Sequence, residues 1–370
     1  MNKRTGLLAL CTVTLFLSAA CNQSPTSPQT GAATPTLTTA APTLVTLGGS
    51  GKPATGLSSV RARVFLPNPV QTSGNQALSD GKDAASAVPS SAYFPVTLTH
   101  LDGSGTLSGD YAAILSETGA PVYGTGPFNF TRDQDGFEQV MAYFWVTEAQ
   151  LYLQSLGFGS ELPAVNKRQQ PLKVSQYGQD NSYQRDKPDY IRLGKGGVDD
   201  AEDGEVIVHE YGHAVQAAQV PGFGSSLEAG SIGEGFGDYL ALTVAESVAR
   251  ANGAPVLTPL PCLMDWDSVS YTTTTPHCIR RTDIGKHYPE DVESEVHADG
   301  EIWSRALWDI RLALGARPAD RVIVNAQFRF APDTSFAAAA QATVDTAQAM
   351  YGATTAAQVR TAFVNRGMLR

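Results

Sequence analysis

Hydrophobic and polar positions follow two rhythms along this chain. Between about 58 and 200 the apolar residues come in short alternating runs. SVRARVFL, YFPVTLTHL and YAAIL each place every second side chain on one face, which predicts short strands. One segment breaks that rhythm. In GFEQVMAYFWVTEAQLYLQSLGF the apolar residues recur at three and four, so a helix is predicted from Phe137 to Leu156, with Gly157 stopping it. DYIRLG, at 189–194, predicts one more strand. Beyond 200 the period is helical, with candidates at about 201–219, 231–252, 295–314, 319–328, 334–350 and 355–366. No internal repeat is visible. A β-rich first half and a helical second half place the chain in the α+β class.

The first twenty residues fit neither rhythm. Lys3 and Arg4 precede the apolar GLLALCTVTLFL, and SAAC ends at Cys21, the layout of an export signal. The placement of Cys21 resembles a bacterial lipoprotein signal, in which that cysteine becomes the lipidated first residue. Ordinary cleavage after Ala20 and free secretion is the alternative, because Ser18 stands where such signals carry leucine. Residues 21–57 are rich in Ser, Thr, Pro, Ala and Gly and cannot bury enough apolar surface to fold, so they predict a tether. The glycines of LGGSGKPATG belong to that tether, since no strand precedes them and no Gly-Lys-Ser/Thr follows. The expected organisation is signal 1–20, tether 21–57, a β-rich lobe 58–203 and a helical lobe 204–370.

Composition narrows the partners. The net charge of −10 and the lack of a basic run argue against nucleic acid. No apolar window of about 18 residues occurs in the body, so membrane contact is expected only through the N-terminal anchor. Beyond the signal two cysteines remain, Cys262 and Cys278, and in an exported chain they predict a disulfide.

The candidate chemistry begins at EVIVHEYGHAVQ, residues 205–216. His209 and His213 lie one helical turn apart on one face, a spacing that lets two imidazoles meet one zinc ion. Glu210, one residue round the helix, is placed to hold a polarised water and take its proton. The acidic run VDDAEDGE precedes this helix. Asp200 or Asp203 can cap it; a calcium site is the other use of such a run. The alternative for the histidines is a chance pair on the surface or in the core.

A third metal ligand is needed. Gln216 and Gln219 stand where a metzincin would carry glycine and histidine. Farther on, GSIGEGFGDYLALTVAES places Glu234 and Asp238 at i and i+4. Glu234 can be the third ligand, and Asp238 can accept the outer N–H of a zinc histidine. The competing reading is a capping box of Ser231 and Glu234. Gly233, Gly235 and Gly237 count against it, because each costs a helix roughly 1 kcal/mol unless something must approach closely. Glu228 is the next ligand candidate.

With these segments placed, the sequence resembles the fungalysin family of the thermolysin-like (gluzincin) zinc metallopeptidases. HEYGH and GEGFGDY are similar to that family's HEYTH and GEGWSD, and SEVHADGEIWSRALWDI is similar to its EVHxxGExW segment. The likeness spans most of 58–370 and implies a thermolysin-like two-lobed fold with the zinc helix between the lobes. It implies His209, His213 and Glu234 as zinc ligands, Glu210 as general base, Asp238 behind His209, and His297 as donor to the oxyanion. Asp291, Glu293 or Glu295 could orient His297. Asn181 resembles an edge asparagine that grips substrate backbone. There are departures: Gly212 stands for Thr, Phe236-Gly237 for Trp-Ser, and the tyrosine near the oxyanion has no counterpart by spacing. Family members also carry a long propeptide, whereas signal and tether are all that is expected before residue 58.

The expectation is an exported, monomeric zinc endopeptidase acting on protein or peptide substrates. A zinc aminopeptidase needs an acidic group for the free amine, and no motif near the zinc segments supplies one. A catalytically silent binding protein would lose the base first, and Glu210 is intact.

Overall fold

The computed structural model describes residues 55–115, 120–175 and 179–370. The expected signal, Cys21 and all but the end of the tether lie outside the described residues. Residues 52–370 cluster as one compact unit. No helix among the described residues is long and apolar enough to cross a membrane.

Strand β1 (Val60–Val64) is followed by a short helix α1 (Pro69–Ser73), whose first turn is capped by Asn68. Strand β2 (Phe94–Leu98) returns antiparallel to β1, pairing Val60 with Leu98. Then come β3 (Ala112–Ile114), helix α2 (Asp135–Ser155), β4 (Gln170–Lys173), β5 (Tyr183–Asp186) and β6 (Asp189–Arg192). The last four strands form one sheet in the order β3-β4-β6-β5. β3–β4 and β4–β6 are parallel, whereas β5 turns back antiparallel onto β6 and forms an edge. The strands are shorter than the alternating runs that announce them, and α2 is the longest element before residue 200.

Helix α2 is apolar on nearly all sides and accordingly buried: Phe137, Tyr143 and Trp145 are each 0% exposed. Each such aromatic contributes roughly 1.5–3 kcal/mol by leaving water. Trp145 also fixes the start of helix α3 (Gly204–Gln219), because its ring fills the space that a side chain on Gly204 would need. Asp203 caps α3 by accepting from Glu205 N at 3.0 Å, so of the two expected caps it is Asp203 that acts.

Helix α4 (Leu227–Ala251) begins earlier than its periodicity suggests, because Ser226 caps it by accepting from Ala229 N at 3.1 Å. After it, β7 (Cys262–Leu263) and β8 (Arg280–Arg281) pair antiparallel around a loop closed by the Cys262–Cys278 disulfide. Helices α5 (Val296–Leu314), α6 (Ala316–Ala326), α7 (Phe336–Tyr351) and α8 (Ala353–Asn365) complete the chain. Helix α4 packs on α3 and on α5. Trp303 of α5 stacks on Phe336 of α7 and Phe363 of α8 at 6.0 and 5.2 Å between ring centroids, tying the C-terminal helices to α5.

Candidate metal centre and substrate cleft

The contact of α3 with α4 is close because glycine meets glycine. A Cβ on Gly212 would lie 3.0 Å from Gly237 Cα, and a Cβ on Gly237 would lie 2.7 Å from His209 Nδ1. A side chain at 212 would press on the α4 backbone, and one at 237 would press on the His209 ring. Gly235 makes a corresponding close approach to the Gly300 carbonyl on α5. With Ser226 as cap, Ser231 lies inside α4 and donates to Leu227 O at 2.9 Å. The capping-box alternative therefore falls, and Glu234 is free to project from the helix. Glu228 is otherwise engaged, accepting from the Tyr288 hydroxyl at 3.1 Å and from Phe336 N at 2.6 Å.

Three ligand-type side chains converge. His209 Nε2 lies 3.2 Å from His213 Nε2 and 3.2 Å from Glu234 Oε2, and His213 Nε2 lies 3.5 Å from Glu234 Oε1. A tetrahedral centre with bonds of about 2.0–2.1 Å puts its ligand atoms roughly 3.3–3.4 Å apart. Two imidazoles and a carboxylate are also the donor set that zinc takes in catalytic sites. Glu234 Oε2 and Glu210 Oε2 are buried and accept no hydrogen bond among the described residues. The three residues can thus hold a divalent cation, with Glu210 beside it.

Behind this triangle the charges are matched. His209 Nδ1 lies 3.0 Å from Asp238 Oδ1, and Arg280 grips both oxygens of Asp238 through Nε at 3.0 and 2.8 Å. Burial opposes the Asp238 charge, but Arg280 and His209 outweigh it and hold the carboxyl down at about 2. An ionised Asp238 keeps the proton of His209 on Nδ1 and leaves Nε2 for a metal. Burial disfavours charge on His209 too, yet Asp238 and Glu234 lift it to about 9, so a bound cation must displace a proton from Nε2. Burial, with Glu234 and Asp200 nearby, pushes Glu210 up to about 7, although His209 opposes this. Sequence reasoning missed Arg280; the available signal was that HCIRRTD lies in a stretch similar to the family.

His297, in the first turn of α5, lines the same cavity with its Nε2 3.5 Å from Glu234 Oε2. Of the three acids expected to orient it, Glu295 does so, at 2.7 Å from Nδ1. Asn181 is exposed on the cavity rim, just before edge strand β5. The cavity measures about 460 Å³ and takes further walls from Val206, Met264, Ile279 and Tyr271. Asp180, Asp200 and Asp267 also line it. No motif announced this acidic group, because its members come from three distant segments.

The acidic run ahead of α3 is divided among separate tasks. Glu202 accepts from buried Arg132 Nε at 2.8 Å. Asp203 and Glu205 meet Asp265 in a second buried cluster, with carboxylate oxygens within 4.8 Å of one another.

A model described as Fungalysin metallopeptidase (M36) matches residues 102–369. Among solved structures, the precursor of protealysin, a metalloproteinase from Serratia proteamaculans, is similar with a TM-score of 0.52 and 19% identity. That match covers 70% of this chain and 86% of the other, and at this identity it carries the fold alone, a thermolysin-like α+β architecture. No curated protein matches.

Proposed function

The chain belongs to the fungalysin metallopeptidase family, and from that premise we propose that it is an exported endopeptidase whose zinc is held by His209, His213 and Glu234. The family's zinc-dependent peptide hydrolysis makes this chain a metalloprotease. The observation that carries the site assignment is the convergence of these three side chains, with His209 Nε2 3.2 Å from both His213 Nε2 and Glu234 Oε2, and His213 Nε2 3.5 Å from Glu234 Oε1.

When bound, zinc polarises a water molecule and the scissile carbonyl. Glu210, buried and without a hydrogen-bond partner on Oε2 among the described residues, takes the water's proton. His297, steadied by Glu295, donates to the oxygen where negative charge develops. Glu210 then returns the proton to the departing amine. Asp238, itself clamped by Arg280, keeps His209 in the tautomer that binds. Asn181, just before edge strand β5, supports an extended peptide lying along the cleft, which is lined from residues 58–203 by Asp180, Asn181, Ser182 and Asp200 and otherwise from residues 204–370.

Export rests on the N-terminal signal pattern, with Cys21 as the lipidated first residue and free secretion as the alternative. Mass spectrometry of the mature N-terminus decides between them. Calcium is a further proposal, for Asp203, Glu205 and Asp265. All three are at most 1% exposed, and neither oxygen of Asp265 has a hydrogen-bond partner among the described residues. A calcium-dependent rise in unfolding temperature, lost in Asp265→Asn, is the expected result.

The activity test is hydrolysis of casein and of N-acetylated peptides with and without a zinc chelator. Loss on chelation and recovery with zinc support the endopeptidase. Chelator-insensitive cleavage, or cleavage only of peptides with a free N-terminus, contradicts it.

A further inference from the structure

The machinery above leaves one part of the cleft without a task. Asp180 precedes β5, Asp200 lies ahead of α3, and Asp267 sits in the disulfide-closed loop, yet their carboxylate oxygens come within 4.8 Å of one another. Asp200 and Asp267 are only 2% and 4% exposed. Asp200 Oδ2 accepts from the Ser182 hydroxyl and from Gly194 N, the latter at 3.2 Å. Oδ1 of Asp180 and Oδ1 of Asp267 are buried and accept nothing among the described residues. The three carboxylates form no ion pair among the described residues. Arg280 is a cation whose field reaches Asp267, and Asp238 already claims it.

These carboxylates share one cavity with His209, Glu210 and Arg280, and Val206, Met264 and Ile279 supply apolar wall to it. Apolar wall combined with unpaired buried carboxylate oxygens suits one kind of side chain: a long aliphatic stem ending in a cation. We propose that Asp180, Asp200 and Asp267 form a subsite for a lysine or arginine side chain of the substrate, so that cleavage falls beside a basic residue. The inference rests on the peptidase reading and gives that same site its substrate class. Burial, together with repulsion from Asp180 and Asp199, pushes Asp200 up to about 7, and burial with its acidic neighbours pushes Asp267 well above the carboxylate range. A cation supplied by the substrate relieves both strains. A side chain fits better than a terminal amine, because Asn181 on the rim, just before edge strand β5, can hold chain on both sides of the scissile bond.

The test is digestion of a peptide library, free and N-acetylated, by the zinc-loaded wild type, with cleavage sites read by mass spectrometry. Lysine and arginine are expected at one fixed position flanking the cut, about 10-fold or more above leucine and phenylalanine. For a matched peptide pair carrying lysine or norleucine there, Asp267→Asn and Asp200→Asn should each lower the basic-to-apolar ratio of kcat/KM about 10- to 100-fold. A ratio unchanged in both variants overturns the subsite, as does an Asp267→Asn effect confined to calcium-dependent stability. The wild-type digest stands even if a variant fails to fold. Cleavage without basic preference overturns the subsite alone; no cleavage of any peptide overturns the peptidase reading and the subsite with it.

Discussion

Two groups of charges share one cavity and are built on opposite principles. Around His209 the charges that position the ligands are paired, with only Glu210 left open: Asp238 meets the imidazole, Arg280 meets Asp238, and Glu234 faces both histidines. In the cluster of Asp180, Asp200 and Asp267, three carboxylates face one another and two oxygens accept nothing among the described residues. Matched charges hold side chains at fixed positions, which a metal centre and a proton relay require. Unmatched buried charges are costly on their own and are tolerated where something else completes them. The first group prepares the chemistry. The second awaits a partner, and what it receives decides which peptide is cut.

The largest effect should come from the matched side. Glu210→Gln should retain zinc while lowering kcat/KM about 10²- to 10⁴-fold, as expected for loss of a general base, measured by zinc content and turnover on the same sample. Equal turnover in the two proteins would remove Glu210 from the chemistry. Next, replacing both Cys262 and Cys278 by alanine should cost on the order of 3 kcal/mol in denaturant unfolding, because the disulfide closes the loop that carries Asp267 and precedes Arg280. A smaller effect is expected for Asp238→Asn, which leaves the three ligands in place but should weaken zinc binding about 10- to 100-fold in competition titrations. Unchanged affinity would mean that the Asp238–Arg280 pair serves packing alone.

The smallest effect comes from the unmatched side and concerns pH. Asp200 is pushed up to about 7 in the folded chain, chiefly by burial, against about 4 when unfolded. The folded state therefore holds a proton that the unfolded state has released. Its contribution to stability is complete below about pH 4 and is lost as pH rises through 7. Asp265, pushed up to about 8 by burial and Asp203, acts in the same direction. Chelated protein should thus unfold at a lower temperature at pH 8 than at pH 5.5. The reverse order would show that these carboxylates are matched after all.

The sequence revealed most where chemistry is local. The spacing of His209, Glu210 and His213 fixes a helix face, and the glycines around Glu234 announce a close helix contact that Gly212 and Gly237 make. The helical candidates appear with their ends shifted by a few residues, because caps such as Ser226 set the boundaries and periodicity does not see them. The alternating runs gave strands, but shorter ones. Arg280 and the three aspartates stayed hidden for another reason. Asp180 and Asp267 are far apart in the chain and meet only through the folded loop between β7 and β8. The choice of Glu295 over Asp291 and Glu293 likewise depends on how the chain enters α5.

The most direct test of the metal centre is a crystal structure of the zinc-loaded enzyme with data collected on both sides of the zinc absorption edge. A single strong zinc peak is expected about 2.0–2.2 Å from His209 Nε2, His213 Nε2 and a Glu234 oxygen, with one position open toward Glu210. A peak elsewhere, or Glu234 turned away from both imidazoles in the zinc-loaded protein, would contradict it.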